Sequence, residues 1–246
     1  MPQGLLPYFR HYFLGSNGDA ASLVPIQAFG VNTETYAATT DESGGILALG
    51  TAAADNDNAV LRMGPFAPRD GTISVRSRFK YSNVDTSVFF GFSETLDTTT
   101  PVMPIEFATG TTLTWNGTGG ILGLIYDVDA TTDDFRACMG DGGAAISDTG
   151  TLGHRANATL TADQWFEAEV VLYPDGSGEC WFGDAGHANS ANETPLRLIK
   201  RFTTGTLLTT TDLFFACLMH ENRSGNARTL EVDYFEIRAG RDWRYN

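Results

Sequence analysis

The sequence predicts an all-β chain folded as a two-sheet antiparallel jelly-roll sandwich with an N-terminal extension. Three observations carry that prediction. Apolar residues recur with period two in many short runs, turn-forming residues separate those runs, and no window holds a 3.6-residue apolar stripe longer than two turns. Alternation places one face of a strand in a core and the other in water, whereas an amphipathic helix needs the longer period. Roughly a dozen or more such runs is the pattern expected of a two-sheet jelly roll.

Taken in order, the first thirty residues stand apart. Tyr8, Phe9, Tyr12 and Phe13 crowd together among prolines and glycines. Residues 1–30 are expected either as a first strand and loop, since Pro and Gly are ordinary strand punctuation, or as an arm that docks its aromatics on a neighbouring subunit. Residues 31–246 are expected as one sandwich domain. The polar run DNDN at residues 55–58 is followed too soon by strands to divide it.

In GTISVRSRFKY, Ile73, Val75, Phe79 and Tyr81 share one face, and Ser74, Arg76, Arg78 and Lys80 the other. WFEAEVVLY sets Phe166, Ala168, Val170 and Leu172 opposite Glu167 and Glu169. Both read as strands with one wet face. GILGLIYD and LFFACLMHE are apolar on both faces and read as central strands. Pro68-Arg69-Asp70-Gly71, Pro174-Asp175-Gly176 and the Gly-rich stretches at 116–120 and 140–143 supply turns.

Composition narrows the function classes. At 246 residues the chain can bury roughly 70–75% of its unfolded surface and needs neither metal nor disulfide to hold a core. Cys138, Cys180 and Cys217 lie among apolar neighbours in no ligand or redox spacing, so they are expected as buried free thiols of a protein that folds in a reducing compartment. Arg10, His11, Pro2 and Pro7 break up the opening residues, so no export signal is expected. The longest apolar run, residues 213–219, is too short to span a bilayer. A net charge of −14, with Lys80 and Lys200 the only lysines, argues against binding a phosphate backbone. Neither membrane nor nucleic acid is an expected partner.

Two acidic clusters invite chemistry. Glu231, Asp233 and Glu236 in LEVDYFEIRAG have the spacing E-x-D-x-x-E, which resembles the catalytic signature of laminarinase-like glycoside hydrolases. Retaining glycosidases need two carboxyl groups flanking the scissile bond. On a regular strand Glu231 and Asp233 share a face and Glu236 opposes them, unless a bulge adds a residue. The same stretch also resembles the V-D-Y-x-x-I closing strand of concanavalin-like jelly rolls, through Val232, Asp233, Tyr234 and Ile237. The other cluster is YDVDATTDDF. Asp127 and Asp129 match the first two ligand positions of an EF-hand loop, but Thr132 and Cys138 stand where its Gly and Glu are required. A hairpin tip with a turn at residues 130–133 is the expected form, with a calcium site as the alternative. His11, His154, His187 and His220 have no ligand spacing, and no nucleophile or phosphate-loop motif occurs. Trp115, Trp165, Trp181 and Trp243 could stack on sugars, although Trp165 heads an apolar strand and reads as core. No cofactor is expected.

From about Gly71 onward the chain resembles the concanavalin A-like, laminin-G-like jelly roll. SVFFGFSETL, the hairpin ADQWFEAEVVLYPDGSGECWFGD and LEVDYFEIRAG carry the likeness. The order GFSETL, MPIEF, GILGLIYDVDATTDDFRACMG further resembles structural proteins of tailed bacteriophages. That resemblance implies a non-enzymatic capsid decoration or cement protein, folded in the host cytoplasm and located on the virion surface. Its implied partners are the major capsid protein, other virion subunits and copies of itself. The alternatives are a carbohydrate-binding adhesin of a head or tail fibre, which requires an exposed aromatic near Trp115, and a glycosidase built on Glu231, Asp233 and Glu236.

Overall fold

The computed structural model describes residues 8–12, 27–32, 34–38, 45–110, 112–117, 119–131, 134–141, 154–155, 162–184, 194–203 and 208–239. Within them the strands β1 (Tyr8–Tyr12), β2 (Gln27–Gly30), β3 (Thr35–Ala38), β4 (Leu47–Gly50) and β5 (Asn58–Phe66) come first. A 3-10 turn, Pro68–Asp70, leads into β6 (Ile73–Tyr81) and β7 (Thr86–Ser93). Then come β8 (Ile105–Thr109), β9 (Thr112–Trp115), β10 (Gly120–Asp127) and β11 (Arg136–Asp141). The last six are β12 (His154–Arg155), β13 (Phe166–Leu172), β14 (Gly178–Asp184), β15 (Thr194–Phe202), β16 (Phe214–Asn222) and β17 (Thr229–Ala239).

Two antiparallel sheets form from these strands. The first runs β15-β14-β13-β6-β17-β4-β3, with β1 also paired to β17; the second runs β12-β11-β10-β7-β16-β5-β2. Their facing sides make one core, in which Val75, Phe79, Phe166, Val170 and Phe235 of the first sheet meet Val88, Phe90, Leu122, Leu124 and Leu218 of the second. Ring contacts knit its centre, the tightest being Phe135 against Phe182 at 4.5 Å between centroids. The alternation of β6 and β13 holds along most of their length: Ile73, Val75, Phe79, Tyr81, Phe166, Ala168, Val170 and Leu172 are buried, and Arg76, Arg78, Lys80, Glu167 and Glu169 are partly exposed, whereas Ser74 of the polar face is buried as well.

The hairpin of β8 and β9 forms a third layer. It lies over the outer side of the second sheet, where Ile105 and Phe107 pack with Val60, Phe89, Ile121, Ile125, Cys217 and Met219 in a second core. This layer explains why β7 and β10 are buried at every position and carry no polar face. Strands covered on both sides lose their reason to alternate. Gly91, at the middle of β7, has φ 151°, and a Cβ there would sit 2.3 Å from the Leu122 carbonyl oxygen of β10. Only glycine fits that approach.

Within the aromatic N-terminal segment, Tyr8–Tyr12 form a strand. β1 pairs antiparallel with β17, Tyr8 opposite Arg238 and Tyr12 opposite Tyr234. β4 takes the earlier part of the same edge, from Thr229 to Val232. Between the two stretches β17 carries a bulge, because Val232 pairs with Phe79 and Tyr234 with the adjacent Arg78. Asp233 is the extra residue. All three cysteines are buried and free.

Candidate functional site

The hairpin layer leaves two clefts beside it. One, of about 610 Å³, is lined by Asp55, Asn56, Met103, Glu106, Phe107, Asp129, Glu221 and Arg223. The other, of about 300 Å³, is lined by Ser93, Thr95, Asp97, Thr100, Trp115, Gly117 and Gly119. Val102 and Asn116 belong to both and form their common wall. Val102 is 55% exposed, an apolar side chain left in water on the wall shared by the two hollows.

Fixed backbone holds these walls. Asn58 Nδ2 donates to the Pro101 carbonyl at 2.7 Å, and Arg62 Nη1 to that of Leu96 at 2.9 Å, which tie the stretch after β7 to β5. Asn116 N donates to the Pro104 carbonyl at 3.1 Å. Glu94 Oε2 accepts the Gly120 N–H at 2.7 Å. The turn of residues 54–57 is closed by Asp57, which accepts the Ala54 N–H at 2.8 Å and a bond from Asn32 Nδ2. Asn222 reaches the same turn through bonds to the Ala52 and Ala54 carbonyls. A ligand entering here meets pre-formed walls.

At the floor of the larger cleft one guanidinium gathers four carboxylates. Arg223, just past β16, makes ion pairs with Glu106 at 2.8 Å, Asp127 at 3.1 Å, Glu221 at 3.0 Å and Asp129 at 3.9 Å. Its side chain is 7% exposed, and those of Asp127 and Glu221 are 0% and 4%. A single positive charge cannot neutralise the two buried carboxylates, Asp127 and Glu221, as well as the more exposed Glu106 and Asp129. Burial pushes Glu221 up to about 8, against the pull of Arg223 and with Glu106 and Asp127 adding to it. Burial also raises Asp127, but Arg223 and the backbone N–H groups of Phe107 and Asp129 oppose the shift. For Glu106, burial is outweighed by bonds from Arg223 and Asn116, which hold its carboxyl below the usual range. The cluster therefore keeps a proton near neutral pH, chiefly on Glu221.

In the smaller cleft Trp115 is half-buried, and its buried indole N–H has no hydrogen-bond acceptor. Ser93, Thr95, Thr100 and Asp97 line the same cleft with Pro104 and Ile121, and the Thr99 backbone N–H holds the Asp97 carboxyl low. An aromatic face beside fixed acceptors and hydroxyls is a surface for a polyol ring.

The residues singled out from sequence fall in three places. Asp129 lines the larger cleft and Asp127 is buried against Arg223, so a guanidinium lies where a calcium alternative would put the ion. Glu231, Asp233 and Glu236 do share the outer face of the first sheet, because the bulge at Asp233 restores their register. Each is ion-paired: Glu231 with Lys80 at 3.0 Å, Asp233 with Arg78 at 3.0 Å and Glu236 with Arg238 at 2.6 Å. Trp165 is buried as expected, yet on the outer side, where Arg78 and Lys80 lie over its ring. Tyr8, Phe9 and Tyr12 are on β1, and Phe13 lies outside the described residues. Sequence reasoning passed over Arg223, Glu221, Glu106, Asn56 and Asn116. The one local signal was the polar HENR that ends an otherwise apolar strand.

No protein-family profile and no curated protein matches the sequence. Solved structures do match the architecture. The Lotus tetragonolobus seed lectin superposes with a TM-score of 0.58 at 11% identity, covering 97% of this chain and 100% of that one. Lectin UEA-II, solved in complex with galactose, gives 0.57 at 10% identity, with 95% and 98% covered. The fold is a concanavalin A-like jelly roll. The potassium-bound carbohydrate recognition domain of Emp46p shares this jelly roll, with a TM-score of 0.55 at 11% identity over 94% and 95% of the two chains. On the jelly roll of this chain, both clefts lie outside the two-sheet core, between the second sheet and its hairpin layer.

Proposed function

We propose that this protein is a non-enzymatic carbohydrate-binding module whose site is the pair of clefts joined at Val102 and Asn116. The observation that carries the reading is Trp115, a half-buried indole with an unpaired N–H, set among hydroxyls, an amide and a carboxylate in a pre-formed hollow. Lectins among the structural neighbours support the same reading. So does the closing strand, where every acid of the E-x-D-x-x-E series is held by a basic residue, an arrangement suited to a surface and poorly to a general acid. The capsid-cement role expected from the sequence draws no support from these neighbours. On the present reading, a virion location would make the module a receptor-binding part of a fibre.

A glycan array followed by calorimetric titration of any hit tests the proposal. Trp115→Ala is expected to weaken binding at least tenfold, about 1.4 kcal/mol. Trp115→Phe, which keeps an aromatic face but loses the indole N–H, should fall between that variant and the parent. An array without a hit sinks the proposal. So does a hit whose affinity neither substitution changes.

A further inference from the structure

Arg223 carries five N–H bonds. Nη1 lies 2.6 Å from Asn56 Oδ1 and 3.0 Å from Glu221 Oε1. Nη2 lies 2.8 Å from Glu106 Oε2 and 3.1 Å from Asp127 Oδ2. Three of these contacts are hydrogen bonds, and the fourth, to Glu221, is a charge contact in which Oε1 accepts no hydrogen bond. The fifth N–H, on Nε, is buried and has no hydrogen-bond acceptor; Asp129 Oδ2 stands 3.9 Å from it, beyond hydrogen-bond reach. Both residues line the larger cleft. The Arg223 side chain is 7% exposed and that of Asp129 52%, so the gap between them has a closed end and an open one.

What fills the gap must accept from Nε–H and donate to the carboxylate. An ammonium cannot accept, and a carboxylate, sulfate or phosphate dianion cannot donate. A hydroxyl does both, and an oxygen about 2.8 Å from each atom spans the distance. The surroundings add a second filter. Glu106, Asp127, Asp129 and Glu221 outnumber the single guanidinium, and Asp55 adds another carboxyl at the wall. Even with a proton retained inside the cluster, an approaching anion meets net negative charge and is turned away.

We propose that the larger cleft is a subsite for an uncharged sugar, one hydroxyl of which bridges Arg223 Nε and Asp129, and that it rejects uronic, sulfated and sialylated glycans. This rests on the glycan-binding reading and names the sugar class it takes. Because Asn116 and Val102 wall both clefts, an oligosaccharide seated here extends over that shared wall toward Trp115.

The test is calorimetric titration of the full chain with neutral gluco-, galacto- and manno-oligosaccharides and with oligogalacturonate and sialyllactose. Asp129→Ala, Asp129→Asn and Trp115→Phe are compared, with circular dichroism to show that each remains folded. At least one neutral series should bind and both acidic ligands fail to. Asp129→Ala should weaken the neutral ligand tenfold or more, while Asp129→Asn, which keeps an acceptor oxygen, should lose less than about threefold and begin to tolerate the acidic ligands. Acidic ligands binding the parent as tightly as neutral ones overturn the proposal. Loss in Trp115→Phe with Asp129→Ala unchanged also overturns it: only water then fills the gap, and the glycan-binding reading survives. If no saccharide binds, both fall together.

Discussion

His220 and Glu221 are sequence neighbours on β16, yet they face opposite sides of the second sheet and respond oppositely to pH. His220 is fully buried between the sheets, and burial pushes its imidazole down to about 4 from an ordinary 6.5, Arg228 adding to the effect. The folded protein thus favours the neutral ring. The resulting stability is complete above pH 6.5 and is lost as pH falls toward 4, a difference on the order of 3 kcal/mol. Glu221, pushed up to about 8 from 4.5, favours its protonated form when folded. Its contribution is complete below pH 4.5 and disappears as pH rises through 8. Between about pH 4.5 and 6.5 the two opposite slopes nearly cancel, so stability should be level there and fall as pH rises from about 6.5 to 8. Urea midpoints across pH 4–9 should show that level stretch and the fall above it. His220→Leu should make stability decline across the formerly level range and Glu221→Gln should make it rise there; an unchanged profile in both variants would contradict the burial argument. Neither residue was legible as a site, because desolvation depends on what lies across the sheet.

Among the elements, the β8–β9 hairpin does most to shape the site. It supplies Glu106, Phe107, Trp115 and, at its exit, Asn116, and it covers the apolar outer side of the second sheet. Phe107 is 1% exposed and lies under the Arg136 guanidinium at 5.1 Å. Phe107→Ala should cost about 3–5 kcal/mol by emptying a packed position, read from denaturant unfolding, and should loosen the larger cleft as well. A loss under 1 kcal/mol would mean that the hairpin is only lightly docked. The unbroken apolar character of GILGLIYD and LFFACLMHE revealed central strands, but not that a hairpin from the segment before GILGLIYD supplies the outer cover. β17 gives the converse case. Its apolar series, Leu230, Val232, Tyr234 then Ile237, suggested a slip after Tyr234; the structure has the bulge one step earlier, at Asp233. The spacing left open where the slip falls, since Phe235 and not Tyr234 faces the core, and the role of the acids, since the cations that hold them come from β6 and from β17 itself.

For the whole molecule, β1 connects the two ends of the chain. It continues the edge of β17 beyond β4, so residues 234–238 have a partner on each side. Deleting residues 1–13 should leave that edge bare and lower the thermal midpoint by about 4 °C or more. A midpoint that stays put while self-association disappears would favour the docking-arm alternative for Tyr8, Phe9, Tyr12 and Phe13. The sequence by itself determined the all-β class, the wet and dry faces of β6 and β13, the central strands and the buried free thiols. Each of these follows from a period or a composition that acts over a few residues. The candidate site was decided only by tertiary structure. Asn56, Glu106, Asp129 and Arg223 come from four separate loops and strand ends, and no local pattern links positions so far apart. They meet because antiparallel pairing brings the ends of β10 and β16 beside the turn before β5, under a hairpin docked on the sheet. The long-range packing that buries their charges is also what makes them chemically distinct.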